Sequence, residues 1–479
     1  MKKQSIWSDI IINNKEKCLK QDIKTDILII GGGITGITAG LFLKDFKVTL
    51  IEQNIIGMGI SSKSTGKLTF LQDEILLNII KAHNEPTAYL YYLAQLDAIK
   101  LVVNTIKKYN INCDLTKNHG YVYTNDPKKL KKIKKLENFF QKYNIKYDII
   151  TNLPNKLPCL YGLRVNDTYV FNPVKYIIEL KEIISNYITI YEHTKALTIT
   201  FENNYYIIKT NSNIIKAKKV IVATHYPFFI KPGFLPFKSY ISKSYVLAAN
   251  ENNHQKINAY SSTLPITSFR YYLNYFIYAS SFKKKSNDNE NHHDLINNYQ
   301  QYFNHKITYI WSSQDIMTND FLPYIGKVNN NLYWATGYNK WGLTNGSIGA
   351  KLLTDLIKNK PNKYTNLFKL KRKTSLNIWK NHLYSNYINI RNFIKSKLKQ
   401  NKKNHLKTAY ITKIKGQKVG IYIDESQKKH VVSNICPHFN CNLLFNDFAK
   451  TWDCPCHGSR FDIDGNVILG PSVYDIKLK

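Results

Sequence analysis

A glycine-rich turn between two short apolar runs, near the start of the chain, limits the possible folds more than any other feature. The apolar run at residues 27–30 is followed by glycines and predicts a buried parallel strand. Residues 34–43 have the small and apolar spacing of a helix, and residues 48–51 form a second apolar run. Together they predict a βαβ unit of about thirty residues, and therefore a chain of the α/β class.

The turn has the pattern Gly-x-Gly-x-x-Gly at Gly31, Gly33 and Gly36. In this pattern the first glycine makes a tight turn, the second lets the backbone approach a pyrophosphate, and the third lets the helix pack closely. Glu52 ends the second strand, where a carboxylate accepts hydrogen bonds from the hydroxyls of an adenosine ribose. The motif predicts a dinucleotide site. It does not separate FAD from NAD, because both contain the same ADP half.

Four further segments extend this motif. They are SSKSTGKLT at 61–69, VIVATHYP at 220–227, DFLPYIG at 320–326 and ATGYNKWGLTNGSIGAKLL from residue 335. With the glycine turn and Glu52, they resemble the FAD-dependent oxidoreductases of the D-amino-acid oxidase and glycine oxidase type. The resemblance runs through most of residues 22–375 and implies an FAD-dependent oxidoreductase domain over residues 22–370.

The resemblance also implies an architecture and a set of FAD contacts. A Rossmann-like FAD-binding domain would be formed by segments of about 22–80, 156–236 and 319–360. Segments of about 81–155 and 237–318 would form an interleaved antiparallel-sheet substrate domain. The implied FAD contacts are Gly31, Gly33, Gly36, Glu52, Ser61, Ser62, Lys67, Ala196, Leu197, Ala223, Thr224, Gly337, Gly342, Leu343 and Thr344.

Four of the seven cysteines lie in the last stretch of the chain, together with two histidines. Cys436-x-His438 and Cys454-x-x-His457 form two ligand pairs with fifteen residues between them. Two thiolates and two imidazoles permit either a tetrahedral zinc site or a [2Fe-2S] cluster in which both histidines bind one iron. Zinc fingers, however, place the two cysteines together and the two histidines together.

The alternating Cys-His order resembles the Rieske iron-sulfur domain, over about residues 406–479. The resemblance implies a small all-β domain with Cys436, His438, Cys454 and His457 as cluster ligands. It further implies a disulfide between Cys441 and Cys456 that ties the two ligand loops together, and a third covering loop at residues 470–471. A zinc ribbon or a metal-free relative of the same fold is the alternative.

Two positions depart from the Rieske pattern. Asn440 stands where a glycine is usual, and asparagine is among the non-glycine residues that best tolerate a positive φ, so we expect the turn to form. Phe461 stands where high-potential Rieske proteins have tyrosine, while Ser459 keeps its hydroxyl. A missing tyrosine hydroxyl removes a donor that stabilises the reduced cluster, which predicts a potential below the top of the Rieske range.

Charge and hydrophilic segments give weaker indications. The formal net charge is +35, but the excess of lysine is spread over a chain rich in Asn, Ile and Tyr, so it does not indicate a nucleic-acid partner. Residues 283–291 are predicted to be an exposed loop with His292 and His293 solvated at its end, and residues 127–140 an amphipathic helix capped by Asp126. Neither a signal peptide nor a membrane span is found, which predicts a soluble, cytoplasmic protein.

A basic segment joins the two predicted domains. Residues 371–407 contain eleven basic residues and no acidic one. Trp379, Leu383, Tyr387 and Ile390 recur at helical spacing, which predicts a linker helix over 371–405 that lies on the protein. Binding to a membrane surface is the second option for this helix.

Two cofactors in one chain suggest a reaction. A flavin accepts two electrons as a hydride, whereas a Rieske cluster passes them one at a time. The first hypothesis is therefore a dehydrogenase that oxidises a small amine or amino-acid-like substrate and passes electrons to an external one-electron acceptor. Its substrate pocket is expected to include Arg270, Tyr272, Tyr338 and Trp341, with Arg270 binding a carboxylate. The second is a redox sensor or electron-transfer adaptor without small-molecule turnover.

Overall fold

The computed structural model describes residues 1–10, 18–155, 157–228, 235–252, 255–281, 288–398 and 408–478. The α-helices in these residues are α1 (Ile34–Phe42), α2 (Ile75–Ala82), α3 (Glu85–Tyr109), α4 (Pro127–Lys142), α5 (Pro173–Ser185), α6 (Leu235–Lys238), α7 (Asp288–Gln300), α8 (Gly342–Ile357), α9 (Thr365–Phe368) and α10 (Leu376–Leu398). The β-strands are β1 (Ile23–Ile30), β2 (Val48–Ile51), β3 (Lys67–Leu68), β4 (Thr116–Thr124), β5 (Asp148–Ile150), β6 (Tyr161–Val170), β7 (Thr189–Tyr191), β8 (Ala196–Glu202), β9 (Tyr205–Thr210), β10 (Ile214–Val222), β11 (Ser239–Asn250), β12 (Ile257–Ser261), β13 (Ile266–Tyr272), β14 (Tyr275–Ser281), β15 (Ile307–Thr318), β16 (Tyr324–Asn329), β17 (Leu332–Thr336), β18 (Ala409–Ile414), β19 (Gln417–Ile423), β20 (Lys429–Ser433), β21 (Leu444–Asn446), β22 (Thr451–Asp453), β23 (Arg460–Phe461) and β24 (Val467–Leu469).

The first sheet has the strand order β16-β17-β10-β1-β2-β7, and β9 joins β8 to β10. Strands β17, β10, β1, β2 and β7 run parallel, and the register aligns the carboxyl ends of β1, β2 and β10. Apolar side chains of α1, α5 and α8 cover this sheet in one shared core. The residues directly after the three aligned strands, Gly31, Glu52 and Ala223, therefore meet at one edge of the sheet.

The second sheet has the order β15-β11-β14-β13-β12-β4-β6-β3, with β5 beside β6. Its neighbouring strands are antiparallel except for the parallel pair β12 and β4. The sheet takes its strands from two stretches of chain, β3–β6 and β11–β15, that alternate with strands of the first sheet, so the two sheets are interleaved in sequence. It includes β3 and β6, which the sequence reasoning grouped with the FAD-binding segments.

The C-terminal part contains two small antiparallel sheets, β18-β19-β20 and β21-β22-β23-β24. The side chains of Trp452, Phe461 and Val432 are fully buried and form the centre of its core. The predicted fold class, an α/β FAD-binding fold with an interleaved sheet and a small all-β domain, is thereby confirmed.

Local predictions had mixed outcomes. Helix α4 is confirmed: Asp126 accepts a hydrogen bond from the Lys128 backbone N–H, and Ile133 and Phe140 are buried. The prediction of a loop ending in two solvated histidines is wrong for His292, because α7 runs through this position and His292 is 2% exposed, stacked on the Phe448 ring. Residues 282–287 of that stretch lie outside the described residues.

The linker helix forms as α10, with residues 399–407 outside the described part of the chain. It lies on the protein, as predicted. Ile378, Ser385 and Ser396 are buried, whereas Trp379 and Leu383 are exposed. The helix therefore contacts the protein through the face opposite the row of Trp379 and Leu383. Nowhere in the described residues is there a helix with the length and apolarity needed to span a bilayer.

Candidate functional site

The turn after β1 has a geometry that two of its glycines make possible. Gly31 has φ of +109°, and a Cβ placed on it would lie 2.6 Å from the carbonyl oxygen of Ala223. A Cβ on Gly36, in α1, would lie 1.9 Å from the carbonyl oxygen of Gly31. Side chains at these positions would separate α1 from the turn. The bare backbone instead leaves a cradle at the N-terminus of α1, where the free N–H groups favour an anion.

Glu52 closes the same edge of the sheet. Its Oε2 accepts a hydrogen bond from the Gly32 N–H at 2.8 Å, and its Oε1 accepts one from the Asn54 N–H at 3.0 Å. Burial raises the pKa of the Glu52 carboxyl group. The carboxylate is held beside the glycine turn, at the position expected for recognition of a ribose.

A single cavity of about 420 Å³ begins at this turn. Of the residues predicted to contact FAD or substrate, those in its wall are Gly31, Gly33, Glu52, Ser61, Lys67, Ala196, Ala223, Thr224, Tyr338, Trp341, Gly342 and Leu343. The predicted residues outside its wall are Gly36, Ser62, Leu197, Arg270, Tyr272, Gly337 and Thr344.

Several of the residues outside the wall support it from behind. The Ser62 hydroxyl donates to backbone carbonyls of its own turn, and the Thr344 hydroxyl accepts a hydrogen bond from Gln72 Nε2 at 2.9 Å. Gly337 has φ of +73°, and a Cβ there would lie 2.5 Å from Thr318 Cγ2. These residues position the backbone around the cavity and do not face into it.

Arg270 was expected to bind a substrate carboxylate, and its surroundings correct that expectation. Its side chain is completely buried; Nη1 donates to the Gly66 carbonyl at 2.8 Å, and Nη2 donates to the Phe171 carbonyl at 3.4 Å. The guanidinium also lies over the rings of Trp7 and Tyr272, 5.6 and 5.3 Å from their centroids. Arg270 therefore joins backbone segments behind the cavity, and we assign it no substrate contact.

The cavity wall also contains charged residues that sequence reasoning missed. Asp73, Asp315 and Lys340 line it together with Tyr260, whose hydroxyl donates to Asp73 Oδ1. Burial lowers the pKa of Lys340, and both carboxylates oppose this shift. Burial raises the pKa of Asp315 to about 6. The four residues come from separate parts of the chain, and no local motif marks them. A functional signal appears only in the structure: Asp73 and Lys340 both have positive φ, +58° and +74°.

The second site lies where the loops after β20 and β22 meet. The rings of His438 and His457 are 5.1 Å apart, and the Nδ1 atoms of both are buried without a hydrogen-bond partner among the described residues. Burial lowers their pKa values to about 3 and 4, which keeps the imidazoles neutral and able to coordinate a metal.

Two thiols complete this donor set. Cys436 and Cys454 are buried, and their side chains are hydrogen bonded to each other. Cys441 and Cys456 form a disulfide that joins the two loops, so these sulfur atoms are not available as ligands. Two free thiols and two unpartnered neutral imidazole nitrogens fit a mixed-ligand [2Fe-2S] cluster. Asn440 has φ of +54°, as the turn was expected to require.

The two sites adjoin. Residues 468–473, which include the third Rieske loop, line the same cavity as the glycine turn. Thr224 is part of the cavity wall. The ring of Tyr226, two residues later in the chain, lies edge-on to the His438 ring with 6.4 Å between the ring centroids. Gln314 Nε2 donates to the Gly458 carbonyl in the cluster loop at 2.7 Å. The cluster loops thus pack directly on the wall of the cavity.

Comparisons with known proteins agree with both sites. Residues 26–356 match the family described as FAD dependent oxidoreductase, and residues 396–477 match the Rieske [2Fe-2S] domain. A relative from Bacillus subtilis, the putative Rieske 2Fe-2S iron-sulfur protein YhfW, is 31% identical over 96% of this chain and 94% of its own length. Gamma-glutamylputrescine oxidoreductase of Escherichia coli is 22% identical over 71% of this chain and 85% of its length.

Among solved structures, glycine oxidase from Geobacillus kaustophilus has the same fold. It covers 74% of this chain and 100% of its own length, with a TM-score of 0.60 at 16% identity. The fold, the glycine cradle and the thiol and imidazole donor set lead to the same assignment as the family matches. The chain belongs to the FAD-dependent oxidoreductase family and has a C-terminal Rieske [2Fe-2S] domain, so its cofactors are FAD and a [2Fe-2S] cluster.

Proposed function

We propose that this protein oxidises a small amine or amino-acid-like substrate in the cavity and delivers the electrons singly to an external acceptor. FAD, held at the glycine turn and Glu52, would supply hydride acceptance from the C–H bond beside the substrate nitrogen, and a cluster held by Cys436, His438, Cys454 and His457 would supply one-electron transfer. The observation that carries the proposal is the shared cavity, whose wall contains both the glycine turn and loop 468–473 of the Rieske domain. A substrate bound there lies beside both cofactor sites.

Two carboxylates of the cavity wall favour a substrate with an ammonium group. Asp73 and Asp315 supply two carboxylates, which attract a cationic amine. Lys340, whose charge interacts with both carboxylates, is the natural counterpart for a substrate carboxylate. Two similar proteins are named for substrates that contain amino groups, glycine and gamma-glutamylputrescine. An amino acid or an amino-acid-like amine would complement the charges of Asp73, Asp315 and Lys340.

The surrounding residues hold these groups in position. The Tyr260 hydroxyl donates to Asp73, and its burial among the second-sheet strands limits the movement of that carboxylate. The Tyr338 hydroxyl is hydrogen-bonded to Thr35 Oγ1 at 2.8 Å, and this contact holds the Tyr338 ring against the start of α1. Trp341 forms an apolar part of the wall. Residues of this kind orient a substrate and exclude water from its reacting bond.

A redox sensor or electron-transfer adaptor remains the second candidate. The adjoining cofactor sites suit such a role equally well. Electron exchange between cofactors alone does not require a cavity whose wall includes the buried group of Asp73, Asp315 and Lys340, and this group favours turnover of a small molecule.

The test uses anaerobically purified holoprotein. A panel of primary and secondary amines and amino acids is mixed with it while the visible spectrum is recorded. We expect at least one of these compounds to bleach the flavin absorbance and then to change the cluster absorbance and the EPR signal. If none reduces the flavin, the dehydrogenase proposal is wrong and the adaptor role is favoured.

Variants identify the binding groups. Asp73→Asn should raise KM for the active amine by about tenfold or more, because a charge-assisted hydrogen bond is lost. FAD content should stay unchanged. Asp167→Asn is the matched control, since Asp167 also has positive φ but lies on the surface in an ion pair with Lys117. Equal KM values for the two variants would exclude Asp73 from substrate binding.

A further inference from the structure

Helix α10 has an apolar row that points away from the protein. The row recurs every three or four residues along the helix, and its members are between 49% and 72% exposed: Leu376, Trp379, Leu383, Tyr387, Ile390 and Ile394. A surface helix of a soluble protein normally turns such a row toward the core. Here the fold leaves it in solvent over the length of the helix.

The opposite face of α10 makes the contacts with the protein, and these are mostly polar. Asn381 Nδ2 donates to the Asn319 carbonyl at 2.9 Å, and Ser385 Oγ accepts a hydrogen bond from Asn319 Nδ2 at 2.8 Å. Ser385 and Ser396 are buried, and Ile378 is the buried apolar residue of this face. The outward row therefore has no part in holding the helix in place.

The charge around the row indicates what covers it. Lys380, Arg391 and Lys395 follow one edge of the row at helical spacing, and residues 371–407 contain no acidic residue. A second copy of this chain would bring like charges together on a protein whose formal net charge is already +35. Anionic lipid offers the complementary charge, together with an interface in which tryptophan and tyrosine are favoured.

We propose that α10 docks this protein on the surface of an anionic lipid bilayer, with the outward row buried among the headgroups. The C-terminal half of the helix contacts both cluster loops: Asn442 Nδ2 donates to the Ser396 carbonyl at 2.9 Å, and Asn392 Nδ2 donates to the Pro455 carbonyl at 3.3 Å. Docking would thus hold the cluster loops about one helix diameter, roughly 10–12 Å, from the lipid surface.

Tryptophan fluorescence of the holoprotein reports on this contact. The chain has six tryptophans. Trp379 is 57% exposed, whereas Trp7, Trp334 and Trp452 are fully buried and Trp311 is nearly so. Vesicles of mixed phosphatidylglycerol and phosphatidylcholine should shift the tryptophan emission to shorter wavelength, and the protein should co-sediment with them. Higher salt should weaken both effects. Vesicles of phosphatidylcholine alone should have little effect. Trp379→Phe should remove the shift and retain sedimentation.

Variants test whether lipid or a second copy of the chain covers the apolar row. The double variant Leu383→Ser/Ile390→Ser should weaken partition into anionic vesicles by about tenfold or more. Its control, Ile149→Ser/Leu273→Ser, removes apolar residues of similar exposure elsewhere and should bind as the wild type does. The double variant Lys380→Gln/Arg391→Gln should bind anionic vesicles more weakly, and its binding should depend less on the salt concentration.

Three results would overturn the proposal. The first is failure of the wild type to bind anionic vesicles, and the second is equal binding by the Leu383/Ile390 variant. The third is a wild-type dimer in analytical ultracentrifugation that this variant dissociates, which would assign the row to a second copy of the chain. Neither readout depends on amine turnover, so each is separate from the test of the proposed function.

Discussion

Replacing Gly36 by Ala tests whether the close approach of α1 to the Gly31 turn creates the FAD site. The added Cβ would lie 1.9 Å from the Gly31 carbonyl oxygen and 3.1 Å from its carbonyl carbon. Because both atoms belong to the backbone, no side-chain rotation relieves the clash. An ordinary contact of about 3.5 Å requires the helix to move by about 1.5 Å.

The size of the effect follows from this displacement. Overpacking typically costs about 1–3 kcal/mol, and a clash with backbone lies at the upper end of that range. A shift of more than 1 Å also moves the N–H groups of the turn beyond the roughly 2.7–3.2 Å that a hydrogen bond to phosphate needs. A loss of about 3 kcal/mol corresponds to roughly a hundredfold weaker FAD binding.

The assay is the flavin content of the purified protein, read from its visible spectrum, with thermal unfolding in the presence and absence of added FAD. Iron content serves as an internal check, because the cluster is bound in the other domain and should be retained. Gly40→Ala is the matched control in the same helix. Its Cβ would meet the side-chain ends of Ile184 and Ile188 at 3.0 Å, and these ends can move. Full flavin content and unchanged unfolding of Gly36→Ala would refute the reasoning.

Three further predictions concern stability, redox potential and pH. Arg372→Ala should lower the free energy of unfolding in urea by about 3–5 kcal/mol, because it leaves the buried Asp320 carboxylate without its bidentate partner. The control Arg164→Ala breaks an exposed ion pair and should lower it by less than about 1 kcal/mol. A similar loss in both variants would contradict this. Phe461→Tyr should raise the potential of the cluster in a redox titration, because the new hydroxyl can donate to the reduced, more negative cluster; an unchanged or lower potential would argue against it. Burial raises the pKa of Asp315 to about 6, so its carboxylate is charged above that pH and loses its charge below it. KM for a cationic amine should therefore rise as the pH falls through about 6, and Asp315→Asn should flatten this limb; an identical pH profile in the variant would exclude Asp315 from binding.

The features that could be inferred from the amino-acid sequence are local in the chain. The glycine turn with its two strands and helix is one continuous segment, and each ligand pair of the cluster lies within four residues. In such motifs the spacing of neighbours dictates the geometry, so the chemistry can be inferred before any tertiary contact is known. The capped helix α4 and the left-handed turn at Asn440 were predictable for the same reason.

Packing between distant segments sets which side chains face the cavity, which face of α10 is covered, and how the two sites meet. Asp73, Tyr260, Asp315 and Lys340 come from separate parts of the chain: Tyr260 and Asp315 lie in strands β12 and β15 of the second sheet, and Asp73 and Lys340 lie in turns. Arg270 has the residue type of a carboxylate anchor, yet its Nη1 and Nη2 donate to the backbone carbonyls of residues 66 and 171. The physical reason is that burial and hydrogen-bond partners depend on what other segments pack against a residue, and that information is not contained in its own sequence neighbourhood.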